Sequence, residues 1–241
     1  AASDVYKRQV QVSGLNNFTS SLEELEEQYV TYNDYHELCS YKLGFHAEYT
    51  TDKKLLEGLA GLSEKYHAPV YTHNSETKRE VEECRQRYGK SPTQLFEEMG
   101  LYRYGGGGYH CIWFDDEDID IFAKRNLSVI TNPASNLKLA SGIAPLKKMQ
   151  EAGINLAIGT DGPASNNCLD MFREMFLVTG LAKLREHDAA VMDANDVLYM
   201  ATTGGAKAMG LSDCDCLAVG KKADLFLMDL MQPVSYTHLT L

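Results

Sequence analysis

APVYTHNSETKREVEECRQRY (68–88) decides how this chain folds. APVYTH (68–73) is a short apolar run of strand length that ends on His73. Thr77–Tyr88 is strongly charged and helix-forming, with only Asn74, Ser75 and Glu76 between the two. The reading is strand, short loop, helix. Upstream, YKLGFHA (41–47) is a strand-length run carrying His46, and Thr51 or Asp52 can cap a helix to Tyr66 with Leu55, Leu56, Leu59 and Leu62 on one face. Ser20 to His36 reads as a helix capped by Ser20 or Ser21, with Glu23 or Glu24 three residues on. Downstream, Ser91–Pro92 opens a short helix. Gly107–Cys111 is strand-like and carries His110, Asp116 to Asn126 is helical, and LSVIT (127–131) is a strand. Pro145–Ala152 is helical, INLAIGTD (154–161) is a strand ending at Asp161, helices follow at 169–184 and 193–209, and ADLFLMD (223–229) is a last β run.

Strand–helix alternation of this kind predicts an α/β fold with a parallel sheet covered by helices. In such folds ligands sit at the carboxyl ends of the strands. Five strands here end in His46, His73, His110, Thr131 and Asp161.

Composition narrows the function classes. The chain has 241 residues, 34 Asp+Glu against 23 Lys+Arg, a net charge of −11 and 44% hydrophobic residues. That suits one globular domain, since α/β barrels of about 200–250 residues are still single domains. No apolar run approaches the roughly 18 residues of a membrane span. A pI near 5.1 with no basic stripe argues against nucleic acid. The N-terminus has no apolar signal region, and the six cysteines read as free thiols of a cytoplasmic protein. Cys214 and Cys216 form a CxC that reads as a loop feature rather than half a metal site, because no second pair lies beside it.

Taken singly, the polar strand ends are ambiguous. His73 and Glu76 are either a strand-end ligand with a carboxylate in the following loop or an ordinary loop pair. His110, apolar on both sides, is by itself a buried histidine. Asp161, between Gly159-Thr160 and Gly162, is a structural Asp-Gly turn or a residue that a ligand approaches closely. The ordered set His, Glu, His, Asp across successive strand ends is far more specific than its parts.

From about Phe18 to Pro233 the chain resembles the amidohydrolase superfamily, in particular its nucleoside-deaminase branch. The residues carrying the resemblance are GFHAEYT (44–50), HNSETKREVEE (73–83), HCIWFDDEDI (110–119), NPASNLKLASGIAP (132–145), GTDGPASNNCLDMFREM (159–175), ATTGGAKAMGL (201–211) and GKKADLFLMDL (220–230). The resemblance implies part of a TIM-like (β/α)8 barrel, about five of eight strands, with a remnant of a small β layer. It implies one divalent zinc ion held by His73 and Asp161, with two further histidine ligands from a preceding His-x-His that this sequence lacks. Glu76 would carry a proton to the ring nitrogen, His110 would orient the attacking hydroxide, Asp161 would take up its proton, and His46 would contact the nucleoside sugar. The partner implied is a small molecule, with a homo-oligomer possible.

The expected organisation is a non-native tail at 1–9, barrel over 10–212, a small-β-layer remnant over 213–233 and a second non-native tail at 234–241, so that the chain is a C-terminal piece of a larger enzyme. The leading activity is hydrolytic deamination of adenine nucleosides: S-adenosylhomocysteine, 5′-methylthioadenosine or adenosine. The alternatives are an aminohydrolase or chlorohydrolase acting on guanine, cytosine or a triazine, and a catalytically inactive fragment with exposed strand edges. Three further expectations concern local features. Gly105–Gly108 reads as a flexible strand entry, Met171, Phe172, Met175 and Phe176 read as core, and Asn136 and Lys138 are candidates to approach substrate.

Overall fold

A computed structural model describes residues 18–227. Helix α1 (Phe18–Tyr35) leads into β1 (Leu43–Phe45) and α2 (Lys53–Tyr66). Then follow β2 (Val70–Asn74), α3 (Lys78–Tyr88), α4 (Pro92–Glu98), β3 (Gly106–His110), α5 (Asp116–Lys124) and β4 (Ser128–Thr131). After α6 (Pro133–Lys138), α7 (Leu146–Glu151), β5 (Asn155–Ile158) and α8 (Pro163–Asn166) come α9 (Met171–Glu186) and α10 (Ala194–Tyr199). A π-helical turn, Met200–Gly204, runs into α11 (Gly205–Met209).

The helix starts are written in capping chemistry. Asp52 accepts from the Leu55 N–H at 2.8 Å, and Thr77, Ser91 and Asp115 each open a helix with a reciprocal side-chain partner three residues on. Each such cap is worth about 1 kcal/mol. On α2 the expected face of Leu55, Leu56, Leu59 and Leu62 is buried. Glu23, Glu24 and Glu27 of α1 face solvent, while Glu26 accepts from Lys65 and Tyr66 at 2.6 Å.

All five strands are parallel and in sequence order, β1-β2-β3-β4-β5. The two faces of the sheet do different jobs. Val70, Val129, Leu156 and Ile158 join Leu55, Leu59, Phe96 and Phe122 in the main core beneath the helices. Each large side chain buried there contributes about 1.5–3 kcal/mol. Tyr71, Tyr109, Ile130 and Ala157 point to the opposite face and meet Ala208 of α11, whose carbonyl accepts from the Tyr71 hydroxyl.

Several expectations change on contact with this packing. Gly106–Gly108 are not a flexible entry but the strand itself. A Cβ on Gly106, whose φ is +129°, would lie 1.9 Å from the Val70 carbonyl oxygen, and one on Gly107 would lie 2.5 Å from that of Ser128. Both neighbouring backbones come in where a side chain would stand. Helix α1 starts at Phe18, so Ser20 and Ser21 lie inside its first turn rather than ahead of it. β5 ends at Ile158, three residues before Asp161. Phe172 and Phe176 are not core: they are 52% and 76% exposed, while Met171 and Met175 pack partly against the core. An apolar stripe says which residues share a face, not whether anything covers it. Residues 223–227 take no strand conformation, because no described strand pairs with them; 228–229, the two expected tails and His238 lie outside the described residues.

Candidate metal and catalytic site

Because every strand is parallel, every carboxyl end reaches the same edge of the sheet. His46 directly follows β1, His73 lies in β2, Glu76 follows in the loop after β2, His110 closes β3, and Asp161 lies just beyond β5. The register sets Phe45 beside Thr72 and His73 beside Tyr109. The His46 and His73 rings are 4.8 Å apart, and the His73 and His110 rings stack at 5.4 Å.

His110 reaches this cluster through its backbone. Strict alternation would send it toward the helices with Asn74, its register partner, since Tyr109 already points the other way. Its φ is +69°, in the left-handed region, and the ring turns onto His73 instead. Ser75 (φ +50°) and Asp161 (φ +58°) bend the same way beside the other ligand-type residues. Non-glycine residues hold such conformations at about 1–3 kcal/mol each, and they concentrate at functional sites.

The hydrogen bonds define which atoms face the cluster. The His73 Nδ1–H donates to the His46 carbonyl at 2.6 Å, which presents Nε2 on the other side of the ring. Burial, reinforced by the neighbouring His110, pushes His73 down to about 3, so its imidazole is neutral. His110 Nδ1 is 2.7 Å from the Asn136 side-chain oxygen, which can only accept, so Nδ1 is the donor in this hydrogen bond. The His110 Nε2 is buried without a hydrogen-bond partner, 3.8 Å from the Glu76 Oε2. Asp161 accepts from Gly162 N at 2.7 Å, Ser165 Oγ at 2.8 Å and Ser135 Oγ at 2.5 Å. Burial raises its carboxyl, but the hydroxyls of Ser135 and Ser165, with His110 and the Gly162 N–H, together outweigh that and lower it from its ordinary value. His46 is half-buried with Nδ1 3.0 Å from Thr50 Oγ1; burial lowers its pKa against the opposing pull of Glu76.

Ligand-type atoms of His73, His110 and Asp161 lie within 4.8 Å of one another. The donor set fits zinc, which takes imidazole and carboxylate, and the orphaned Nε2 of His110 is the kind of buried atom that a metal or its water satisfies. Among the described residues neither Cys214 nor Cys216 joins a metal-type group.

Several supporting residues escaped the sequence reading. Glu80, 3% exposed, accepts from the backbone N–H of Ser75 at 3.0 Å and of Glu76 at 2.8 Å, gripping the loop that presents Glu76. Its burial pushes the carboxyl up to about 7 against these N–H groups. The Thr77-x-x-Glu80 spacing could have revealed it as a capping box. Ser135, Ser141 and Ser165 carry no comparable signal. Asn136 is buried and spent on His110; Lys138 is tied to the Ala164 carbonyl at 2.7 Å.

A parallel sheet that gathers three imidazoles and two carboxylates at its carboxyl edge defines an α/β protein with a metal-type centre at its strand ends. The chain belongs to the amidohydrolase family, whose model matches residues 13–240. It is 43% identical over 192 residues to a 5-methylthioadenosine/S-adenosylhomocysteine deaminase of Caldanaerobacter subterraneus, covering 79% of this chain and 44% of that one. It is 40% identical over 198 residues to a 5′-deoxyadenosine deaminase of Methanothermobacter thermautotrophicus, covering 82% and 45%. The structure resembles that of an adenosine deaminase from Xanthomonas campestris with bound zinc, with a TM-score of 0.81 and 37% identity over 90% of this chain and 49% of that one. The chain spans about half the length of the curated relatives it matches.

Proposed function

We propose that this chain is the C-terminal part of a zinc-dependent hydrolytic deaminase of adenine nucleosides. The observation that carries the reading is the cluster itself: His73, His110 and Asp161 within 4.8 Å, with the Glu76 carboxylate 3.8 Å from His110. The relatives' names supply the substrate class: adenosine with a varied 5′ substituent.

His73 and Asp161 would hold the zinc, with two further histidines from a part of the enzyme that these residues do not include. Zinc bound there lowers the pKa of water toward neutrality and so supplies a nucleophile. The chain's own residues manage the protons. Water adds to the amino-bearing ring carbon, and Asp161 accepts its proton. Glu76 gives a proton to the adjacent ring nitrogen, which lets the ring take up the electron pair. The amino group takes the proton held by Asp161 and leaves as ammonia as the C–N bond breaks, and the new hydroxyl returns its proton to Glu76 as the carbonyl forms, giving the inosine analogue. His110, held by Asn136 through its Nδ1, orients the water. His46 stands at the same edge, where a sugar hydroxyl can reach it. These residues alone do not complete the ligand set, so we expect the 241-residue chain by itself to be inactive. We place the enzyme in the cytoplasm; no described helix is long and apolar enough to cross a membrane.

The test is ammonia release by the complete enzyme from 5′-methylthioadenosine, S-adenosylhomocysteine and adenosine, set against free adenine, guanine and cytosine. Preference for the nucleosides is expected. A preference for guanine or cytosine would defeat the substrate assignment.

A further inference from the structure

We propose that Ser141, held in place by the indole of Trp113, is the positioning residue that aims the Glu76 carboxylate; this rests on the deaminase reading above. Ser141 stands 65 residues from Glu76 in sequence, yet its hydroxyl donates to Glu76 Oε1 at 3.1 Å. The other oxygen, Oε2, is the one that faces His110 Nε2 at 3.8 Å. The two carboxylate oxygens are thereby divided: one is anchored and one is turned to the reacting edge.

The anchor is rigid for reasons outside its own side chain. The Trp113 indole N–H donates to the Ser141 carbonyl at 2.9 Å, and the Ser141 N–H donates to the Asn136 carbonyl at 2.9 Å. Ala140 (φ +55°) and Gly142 (φ +128°) flank it in left-handed conformations, and a Cβ on Gly142 would meet Ile112 Cγ2 at 2.9 Å. Trp113 also donates its backbone N–H to the Ser75 carbonyl at 3.0 Å, next to Glu76. One residue therefore ties the loop that carries Glu76 to the loop that carries Ser141. The same short segment supplies Asn136, whose amide oxygen sets the His110 tautomer. Residues 136–141 thus hold both the proton carrier and its imidazole neighbour. Ser141 is 5% exposed, so water competes poorly for its hydroxyl.

The experiment is a mutant cycle in the complete, zinc-loaded enzyme, read as ammonia release from 5′-methylthioadenosine, with zinc content and Tm measured on each variant. Ser141→Ala should lower kcat about tenfold or more, the usual worth of a hydrogen bond to a charged group, with KM changed far less and zinc retained. Ser141→Thr keeps the hydroxyl and should recover most of kcat. Trp113→Phe keeps the ring but removes the N–H, and should fall between them. In a Glu76→Gln background, Ser141→Ala should add no further loss, because the hydroxyl acts through Glu76. If Ser141→Ala costs the same with and without Glu76, or leaves kcat within about twofold while Glu76→Gln is crippled, the positioning role is wrong and the deaminase reading stands. If Glu76→Gln itself keeps parental turnover, the role of Glu76 is wrong and the proposal falls with it.

Discussion

Glu80→Gln should make stability less dependent on pH, and in the direction opposite to a surface ion pair. Glu80 is buried, and its carboxyl is raised from 4.5 to about 7. Below pH 4.5 the side chain is protonated in folded and unfolded chains alike, and it carries no penalty. As pH rises from 4.5 to about 7 the unfolded chain loses its proton first, so the folded state loses ground. At about 1.4 kcal/mol per tenfold change in proton activity, the penalty grows to about 3 kcal/mol and is complete above the folded value. Glutamine never ionises. Its amide can accept from only one side, so an N–H of Ser75 or Glu76 loses a partner, at about 1–3 kcal/mol. That cost is an offset independent of pH. The unfolding free energy of the variant minus that of the parent should therefore rise by about 3 kcal/mol between about pH 4 and pH 8. Urea unfolding followed by far-ultraviolet circular dichroism measures it. Asp118, raised to about 6 by burial, bends both curves the same way and cancels in the difference. A difference that stays flat, or falls with pH, would show that the loop N–H groups outweigh burial and that Glu80 is ionised throughout.

Gly106→Ala should cost about 3 kcal/mol or more, since its Cβ would lie 1.9 Å from a carbonyl oxygen at φ +129°, whereas Gly61→Ala, with nothing within 4 Å, should gain about 0.5–1 kcal/mol; equal effects in urea unfolding would refute the β3 packing. In the complete enzyme, His73→Ala and Asp161→Asn should each strip zinc, while His110→Asn keeps it and loses turnover; metal analysis showing equal loss in all three would make His110 a ligand. His46→Ala should lower kcat/KM for a nucleoside much more than for free adenine, because the His46 carbonyl that orients His73 is untouched by the change. An equal fall for both substrates would mean that His46 only packs.

Much of the skeleton was legible because its signals are short-range. The strand runs around His46 and His73, the cap at Asp52, the helix starts near Thr77 and Ser91, and the leucine face of α2 all depend on residues within a few positions of one another. The order of His, Glu, His and Asp along the chain was legible for the same reason, once parallel strands bring their ends to one edge. What only the tertiary structure decided lies in contacts across the chain. Ser135 reaches Asp161 and Asn136 reaches His110 over 26 residues, and Ser141 reaches Glu76 over 65. No local pattern marks those serines, because the geometry that recruits them comes from register and loop path. The left-handed turn at His110, the close neighbouring backbones that leave no room for a side chain at Gly106 and Gly107, and the exposure of Phe172 and Phe176 are of the same kind. A sequence sets each residue's preference, but which neighbour meets it, and whether a face is covered, is settled only when separate segments pack against one another.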